Sequence, residues 1–361
     1  MVIESIELEN FRNYQKLHME FDKRTNILYG DNAQGKTNIL EAVYVSGTSK
    51  SQKSSKDREM IRFGMEESHI KTILLKKDIP YRIDMHLKKN RPKGIAVNGI
   101  PIKKASELFG IVNLVAFSPE DLNIIKHGPQ ERRRFLDLEL CQLDRLYVYH
   151  LVNYNKALNQ RNQLLKDLSS RQDLMDTLDI WDMQLAEYGS KLIMRREEFL
   201  TSLDELVVTF HGRLSGEKEE LHIRYEPSCR SEEILTQLGK NRERDCKLKT
   251  TNVGPHRDDI SFYIGEIDLR KYGSQGQQRT AALALKLAEI EIVKKLTKDT
   301  PVLLLDDVLS ELDSKRQNHL LNHIHEIQTI ITCTGLDEFI ENRFEINRVY
   351  HIMNGTVGGR E

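Results

Sequence analysis

Four cysteines in 361 residues are too few to staple a chain of this length. They stand at Cys141, Cys229, Cys246 and Cys333, and no pair has the spacing of metal ligands. A disulfide framework is excluded, and reduced thiols in a cytosolic setting are expected. Charge of one sign is equally scarce, with 54 Lys and Arg against 55 Asp and Glu. Such a balance names no partner, so any nucleic-acid surface has to come from local clustering. No run of about 18 apolar residues occurs, which excludes a spanning helix and leaves no membrane partner expected. The opening MVIESIELENF alternates like a strand, without the basic region and apolar core of a signal peptide. A cytoplasmic location is therefore expected. No aromatic-interleaved motif for reading bases appears, so contact with nucleic acid would be made to its backbone or structure.

What is present is Gly30-Asp31-Asn32-Ala33-Gln34-Gly35-Lys36-Thr37, followed by Asn38, which fits G-x-x-x-x-G-K-[ST]. The apolar run Asn26-Ile27-Leu28-Tyr29 ahead of it reads as a buried strand, and Asn38 to Val45 behind it as a helix start. Glycines let backbone N–H groups turn around phosphate oxygens, and the helix N-terminus adds partial positive charge. Lys36 can reach the β and γ phosphates, and the Thr37 hydroxyl can ligate Mg²⁺. A chance glycine turn before a helix is the bland reading, and the matched flanks weigh against it.

The first ~115 residues are rich in strand patterns, at Val2–Glu9, through Leu17, Met19 and Phe21, and over 68–76 and 81–87. Asn98-Gly99 marks a hairpin turn. A buried strand over 112–117 ends in Ser118-Pro119-Glu120-Asp121, with Ser118 suited to N-cap and Pro119 to N1. Residues 130–168 are then nearly free of Gly and Pro. Leu136, Leu140, Leu143, Tyr147, His150, Tyr154, Ala157, Arg161, Leu164 and Leu168 form one seam with two polar interruptions. Ser169–Asp173 breaks it, and a second helical pattern runs from Leu178 to Phe210. Two helices with a short break predict an antiparallel hairpin packed within the chain.

Val302-Leu303-Leu304-Leu305-Asp306-Asp307 is an apolar strand ending in two carboxylates, a Walker B pattern. Asp306 would hold the Mg²⁺ shell and Asp307 would position water or act as base. Alone the pattern is weak; beside a P-loop it is strong. Gly273-Ser274-Gln275-Gly276-Gln277-Gln278 precedes an Ala- and Leu-rich helix, which makes a second anion-binding helix N-terminus. A single nucleotide site does not need two such cradles. The second fits a nucleotide held by another copy of the chain.

Together with Ser310-Glu311-Leu312-Asp313, these stretches resemble an ABC-type ATPase head. Phe11-Arg12-Asn13-Tyr14 and Asn32 narrow the resemblance to the SMC-like branch. FSPEDL (117–122), GPHRDD (254–259), YGSQGQQRTAALALKLAEI (272–290) and LLLDDVLSELD (303–313) closely resemble the RecF family of bacterial recombination-mediator ATPases, along nearly the whole chain. The resemblance implies an α/β fold, with an ABC-type ATPase lobe from ~1–117 plus ~250–361 and a helical insertion lobe over 118–249. It implies ATP with Mg²⁺ as cofactors, DNA binding, an ATP-dependent homodimer, slow hydrolysis acting as a switch, and work with RecR and RecO to load RecA at gapped DNA. Arg12 and Asn13 match the family's phosphate-side contacts. Lys36, Thr37 and Asn38 match its P-loop contacts, and Ser274, Gln275, Gly276 and Gln277 its partner-facing signature. Lys36 and Asp307 carry the catalytic assignment, Thr37 and Asp306 the metal. Asp307 stands where other ABC heads have Glu, and Ser118-Pro119-Glu120 occupies the region of the usual glutamine loop. Thr332 or Thr334 takes the place of the switch histidine, and Lys53 fills a place often held by Arg.

Basic clusters lie at Lys50, Lys53, Lys56 and Arg58; at Lys88, Lys89, Arg91 and Lys93; at Arg132, Arg133 and Arg134; and at Arg242, Arg244, Lys247 and Lys249. One or two of the four are expected to line a DNA path, the others being solvated surface. Three other readings stay open: a transporter ATPase subunit, a P-loop kinase or ATPase acting on a small molecule, and a binding protein that uses ATP only to dimerise.

Overall fold

An aliphatic run such as Val302–Leu305 is stable as a strand only where both of its faces are covered. The computed structural model describes residues 1–53, 56–168, 172–336 and 347–359. Two compact units divide it: Met1–Asp121 with Lys286–Glu361, and Leu122–Leu285.

The first unit opens with β1 (Val2–Phe11), β2 (Tyr14–Glu20) and β3 (Thr25–Tyr29), then α1 (Lys36–Thr48). It continues through β4 (Glu67–Lys76), β5 (Ile79–Lys88), β6 (Arg91–Val97), β7 (Ile100–Pro101) and β8 (Leu114–Phe117). Six of these form an antiparallel sheet in the order β2-β1-β4-β5-β6-β7. Its alternation is the one visible in the sequence. Ile6, Leu8, Ile70, Ile83 and Met85 are buried, while Glu7, Glu9, His69, Lys71, Asp84 and His86 lie on the other face. Asn98-Gly99 makes the β6–β7 turn with both φ values positive, at 52° and 79°. After β8 the expected positions hold: Pro119–Asp121 is a single 3₁₀ turn opening after Ser118, whose N–H donates to the Asp121 carboxylate at 2.6 Å, the N3-to-N-cap half of a capping box.

The second unit holds α2 (Leu122–Lys126), α3 (Pro129–Leu143), α4 (Arg145–Asp167) and α5 (Leu178–Ser215). The single seam expected over 130–168 is two helices. Asp144 breaks it, because its carboxylate caps α4 by accepting the Leu146 N–H at 2.8 Å. The α4–α5 hairpin is antiparallel: Asp144 meets Arg195, Arg161 meets Asp182, and Leu165 and Leu168 pack with Leu178. Of the expected break, 169–171 lie outside the described residues. Arg161, one of the polar interruptions, is fully buried and reaches Asp182 at 2.6 Å and Asp245 at 2.7 Å. The unit closes with β9 (Leu221–Glu226), α6 (Ile234–Lys240), α7 (Arg242–Leu248), β10 (Asp259–Ile264), β11 (Ile267–Asp268) and α8 (Leu269–Tyr272). β10 pairs along its length with β9, which groups it with the helices. The division read at 250 from the resemblance therefore falls at 286, inside α9 (Gln275–Thr297), while the one read at 117 falls at 121.

GPHRDD (254–259) ties the second unit together. Gly254 sits at φ 125°, where a Cβ would come 2.2 Å from the Tyr154 hydroxyl. Pro255 O and Asp258 Oδ2 accept from the buried Arg196 at 2.7 and 3.0 Å. Asp258 also accepts from Tyr225 and from the Ser228 N–H. Asp259 takes a bidentate pair from Arg132 at 2.7 and 2.9 Å. His256 bridges Tyr154 at 2.7 Å and Thr251 O at 3.0 Å, and burial pushes its pKa down to about 4.

The first unit then resumes with β12 (Val302–Asp306), α10 (Ser314–Ile324), β13 (Thr329–Cys333), β14 (Arg348–Met353) and β15 (Thr356–Gly359). The order is β15-β14-β3-β13-β12-β8, parallel except for β15. α1 packs on β4 and β5 of one sheet and on β8, β12 and β13 of the other. Covered on both sides, it is buried nearly all round from Ile39 to Thr48.

Candidate nucleotide site

The site grows from the C-terminal edge of the parallel sheet, where an α/β sheet presents its ligand. The loop after β3 needs its glycines. Gly30 has φ 147°, and a Cβ there would lie 2.4 Å from Ile352 O. Gly35 has φ 116°, and a Cβ would lie 2.5 Å from Asn13 Nδ2 and 2.7 Å from the Tyr14 hydroxyl. Lys36 is buried and folds over the loop, donating to Gly30 O at 2.5 Å and Asp31 O at 2.8 Å. Asp31, Asn32 and Ala33 are exposed on the loop's outer side, with Ala33 at φ 63°.

Three parallel strands bring the acidic end together. Thr37 Oγ1 donates to Asp306 Oδ1 at 2.7 Å, and Thr332 Oγ1 donates to the same oxygen at 2.8 Å. Lys53 Nζ lies 3.1 Å from Asp306 Oδ2. Asp307 has φ 56°, a left-handed conformation that costs an ordinary residue about 1–2 kcal/mol. It is held there by its N–H on Thr332 Oγ1 at 3.0 Å and by Ser310 Oγ on its carbonyl at 2.9 Å. Of the two threonines expected in place of a switch histidine, Thr332 touches both Walker B aspartates; Thr334 is exposed beyond β13.

The residues around the loop sort differently from one another. Asn13 Nδ2 donates to Gln34 O at 2.9 Å, and Asn38 Nδ2 donates to Asn13 Oδ1 at 2.8 Å, so both brace the P-loop. Arg12 turns its guanidinium to the buried Glu41 of α1, at 2.8 and 2.6 Å, and to Glu59 O at 2.6 Å. Tyr14 donates to Gly35 O at 3.1 Å, and burial pushes its pKa far up, keeping the phenol a donor. Sequence reasoning missed the β14–β15 turn. Asn354 N–H donates to Gln34 Oε1 at 2.6 Å and Gly355 N–H to Gln34 O at 3.2 Å. Asn354-Gly355 is the same hairpin signal as Asn98-Gly99 and could have found it.

In the second unit, α9 starts at Gln275, so the expected loop is largely the helix's first turn. Ser274 and Gln277 form a reciprocal capping box, Ser274 N–H to Gln277 Oε1 at 2.9 Å and Gln277 N–H to Ser274 Oγ at 3.2 Å. Gln277 Nε2 also donates to Glu219 at 2.9 Å. Ser274, Gln275 and Gly276 are exposed.

Much of the basic surface is spoken for. Arg132 is buried against Asp259, Arg133 donates to Asp258 O, and Arg242 pairs with Asp179 and Asp182. Lys88 and Lys89 pair with Glu67 and Glu66, and Lys93 with Asp57. Lys50, Lys56 and Arg58 in the first unit, and Arg244, Lys247 and Lys249 in the second, are exposed. Among the described residues no helix is long and apolar enough to cross a membrane.

A glycine loop clasped by Lys36, with a strand-end aspartate on the loop's own threonine, is the arrangement of a P-loop nucleoside triphosphatase. The model of the RecF/RecN/SMC N terminal domain matches residues 2–357. Curated relatives named DNA replication and repair protein RecF are 63% identical over 357 residues in Agathobacter rectalis and 62% in Lachnoclostridium phytofermentans, each match covering 99% of both chains. A solved structure of the recombination mediator protein RecF with ATP in the RecFOR pathway superposes with a TM-score of 0.94 at 37% identity, covering 100% of this chain and 98% of that one. An SMC head bound to the C-winged helix domain of ScpA shares the fold, with a TM-score of 0.57 at 17% identity over 99% and 96% of the two chains. The chain belongs to the RecF family of DNA replication and repair proteins, on the SMC-like branch of the ABC-type ATPases. The transporter and small-molecule kinase readings are not favoured.

Proposed function

We propose that the chain is an ATP-switched DNA clamp of recombinational repair, working in the cytoplasm with RecO and RecR to load RecA at gapped DNA. ATP is held at Gly30–Asn38 of one copy and completed by Ser274–Gln277 of a second. The resulting dimer retains DNA, and slow hydrolysis releases it. The observation that carries this reading is the pair of separate anion cradles, Lys36 over Gly30 at the start of α1 and the exposed capping box at the start of α9.

The donor set fits Mg²⁺: a carboxylate and a hydroxyl, hard oxygen ligands, 2.7 Å apart at a strand end. Thr37 and Asp306 would hold it, and it would neutralise charge on the transferring phosphate. Lys36 supplies a positive charge on the loop. Thr332 fixes the rotamer of Asp306 and the backbone of Asp307. Asp307 then presents its carboxylate to water, and its side chain, shorter than a glutamate, suits slow turnover. Exposed Lys50, Lys56, Arg58 and Arg91 in the first unit, and Arg134, Arg244, Lys247 and Lys249 in the second, are among the cations that can meet DNA phosphates.

Sedimentation velocity tests the shared site. The parent chain should dimerise with ATP, and Ser274→Arg should remain monomeric while still binding ATP at its own glycine loop, with an affinity lowered only by the loss of the dimer linked to it. A Ser274→Arg protein that dimerises as the parent does would overturn the reading.

A further inference from the structure

The outer face of the six-stranded sheet carries a cluster that nucleotide chemistry does not use. Glu67 and His69 stand two apart on β4 and so share a face. His86 of β5 is the register partner of His69, and Glu9 of β1 is its partner on the other side. The two imidazoles stack with centroids 3.9 Å apart and planes 22° apart. His86 Nε2 lies 3.0 Å from Glu67 Oε2. One ligating atom from each of Glu67, His69 and His86 falls within 4.8 Å of the others. These three are the only such group among the described residues.

We propose that Glu67, His69 and His86 bind a zinc-class divalent cation, clipping β4 to β5. Two imidazoles and one carboxylate form a ligand set characteristic of zinc with an open fourth position. Imidazole selects Zn²⁺, Co²⁺, Ni²⁺ or Cu²⁺ over Mg²⁺, so the site is chemically distinct from the oxygen-only pair Thr37 and Asp306. Paired strands fix the ligands in place before the ion arrives. Only side-chain torsions have to change: His86 Nε2 already faces Glu67, and the stacked His69 ring turns to bring a nitrogen beside it. The competing occupant is Lys88, whose ammonium lies 3.4 Å from Glu67 Oε2. Glu9, across from His69, is placed to orient its ring through the second nitrogen, as carboxylates do for metal-bound histidines.

Calorimetric titration of the chelator-stripped full chain with ZnCl₂, in millimolar Mg²⁺, tests this directly. One Zn²⁺ per chain should bind, and Co²⁺ should give visible d–d absorption of low-symmetry coordination. His69→Ala and His86→Ala should each weaken binding by more than the roughly 10–100-fold that loss of an outer-shell partner costs. Both histidines are on the solvent face, so the variants should keep their ATP affinity, which verifies the fold. Lys88→Ala should bind Zn²⁺ at least as tightly as the parent. Failure of the parent to bind Zn²⁺, or equal binding by parent and both histidine variants, which would move the ion to the cysteines, overturns the proposal.

Discussion

Thr332→Val is the sharpest test of how the acidic end of the site is held. Valine keeps the shape of threonine and suits the buried β13, so the change removes little beyond the hydroxyl. That hydroxyl makes two bonds: it donates to Asp306 Oδ1 at 2.8 Å and accepts the Asp307 N–H at 3.0 Å. A hydrogen bond to a charged group is worth roughly 1.5–3 kcal/mol, and a neutral one about 1 kcal/mol. Asp306 keeps Thr37 and Lys53, and the Asp307 N–H keeps Thr332 O at 3.3 Å, so the fold survives. The charged bond orients the carboxylate that would hold the metal. If its loss falls on the transition state, kcat drops by roughly 10- to 150-fold at about 1.4 kcal/mol per tenfold. Affinity for ATP, set by the glycine loop and Lys36, should change little. Steady-state phosphate release and equilibrium nucleotide binding, measured on parent, Thr332→Val and Thr332→Ser, separate these terms. Serine restores the hydroxyl and should recover most of the turnover. Turnover of Thr332→Val equal to that of the parent, or serine as poor as valine, refutes the assignment.

Gly35→Ala should abolish ATP binding, since its Cβ would meet Asn13 Nδ2 at 2.5 Å at a φ of 116°; fluorescent-nucleotide titration checks it, and retained micromolar binding would contradict the loop geometry. Asp258→Asn weakens one partner of the buried Arg196, which keeps Asp137 at 2.8 Å, and should cost about 1.5–3 kcal/mol of unfolding free energy, read from the urea midpoint. Protonation of His256 opposes folding. Its folded pKa is near 4 against an ordinary 6.5, so the unfolded chain takes up the proton first as pH falls, and stability present above 6.5 drains away down to 4. The full difference is about 3 kcal/mol. His256→Gln should flatten that part of the urea midpoint against pH, and an unchanged slope would rule the histidine out.

The P-loop and Walker B strand were legible because each is a local pattern with a local cause. Gly30 and Gly35 are required by backbone geometry, and Val302–Leu305 by burial on both faces. The capping box at Ser274 and Gln277 is equally local, so the start of α9 follows from the six residues Gly273–Gln278. Boundaries were less legible. Asp144 divides what periodicity joins, because a single side-chain cap outweighs an uninterrupted apolar seam. Residues 250–285 group with the helical unit because β10 finds β9, a pairing between segments that periodicity cannot match.

Charge was the least legible property. Arg12, Arg132 and Arg242 look alike in the sequence as cations available to phosphate, yet Glu41, Asp259 and Asp182 occupy them. Those carboxylates stand 29, 127 and 60 positions away along the chain, respectively. The same holds for Thr332 on Asp306, for Asn354 on Gln34, and for the meeting of His69 with His86. The sequence by itself determined that the chain carries a nucleotide-binding glycine loop and a second glycine- and serine-led helix start, since both follow from contiguous residues and backbone stereochemistry. Only the tertiary structure decided which charges are engaged, how the two aspartates are held and where histidines converge, because those depend on distances between segments that strand pairing alone sets.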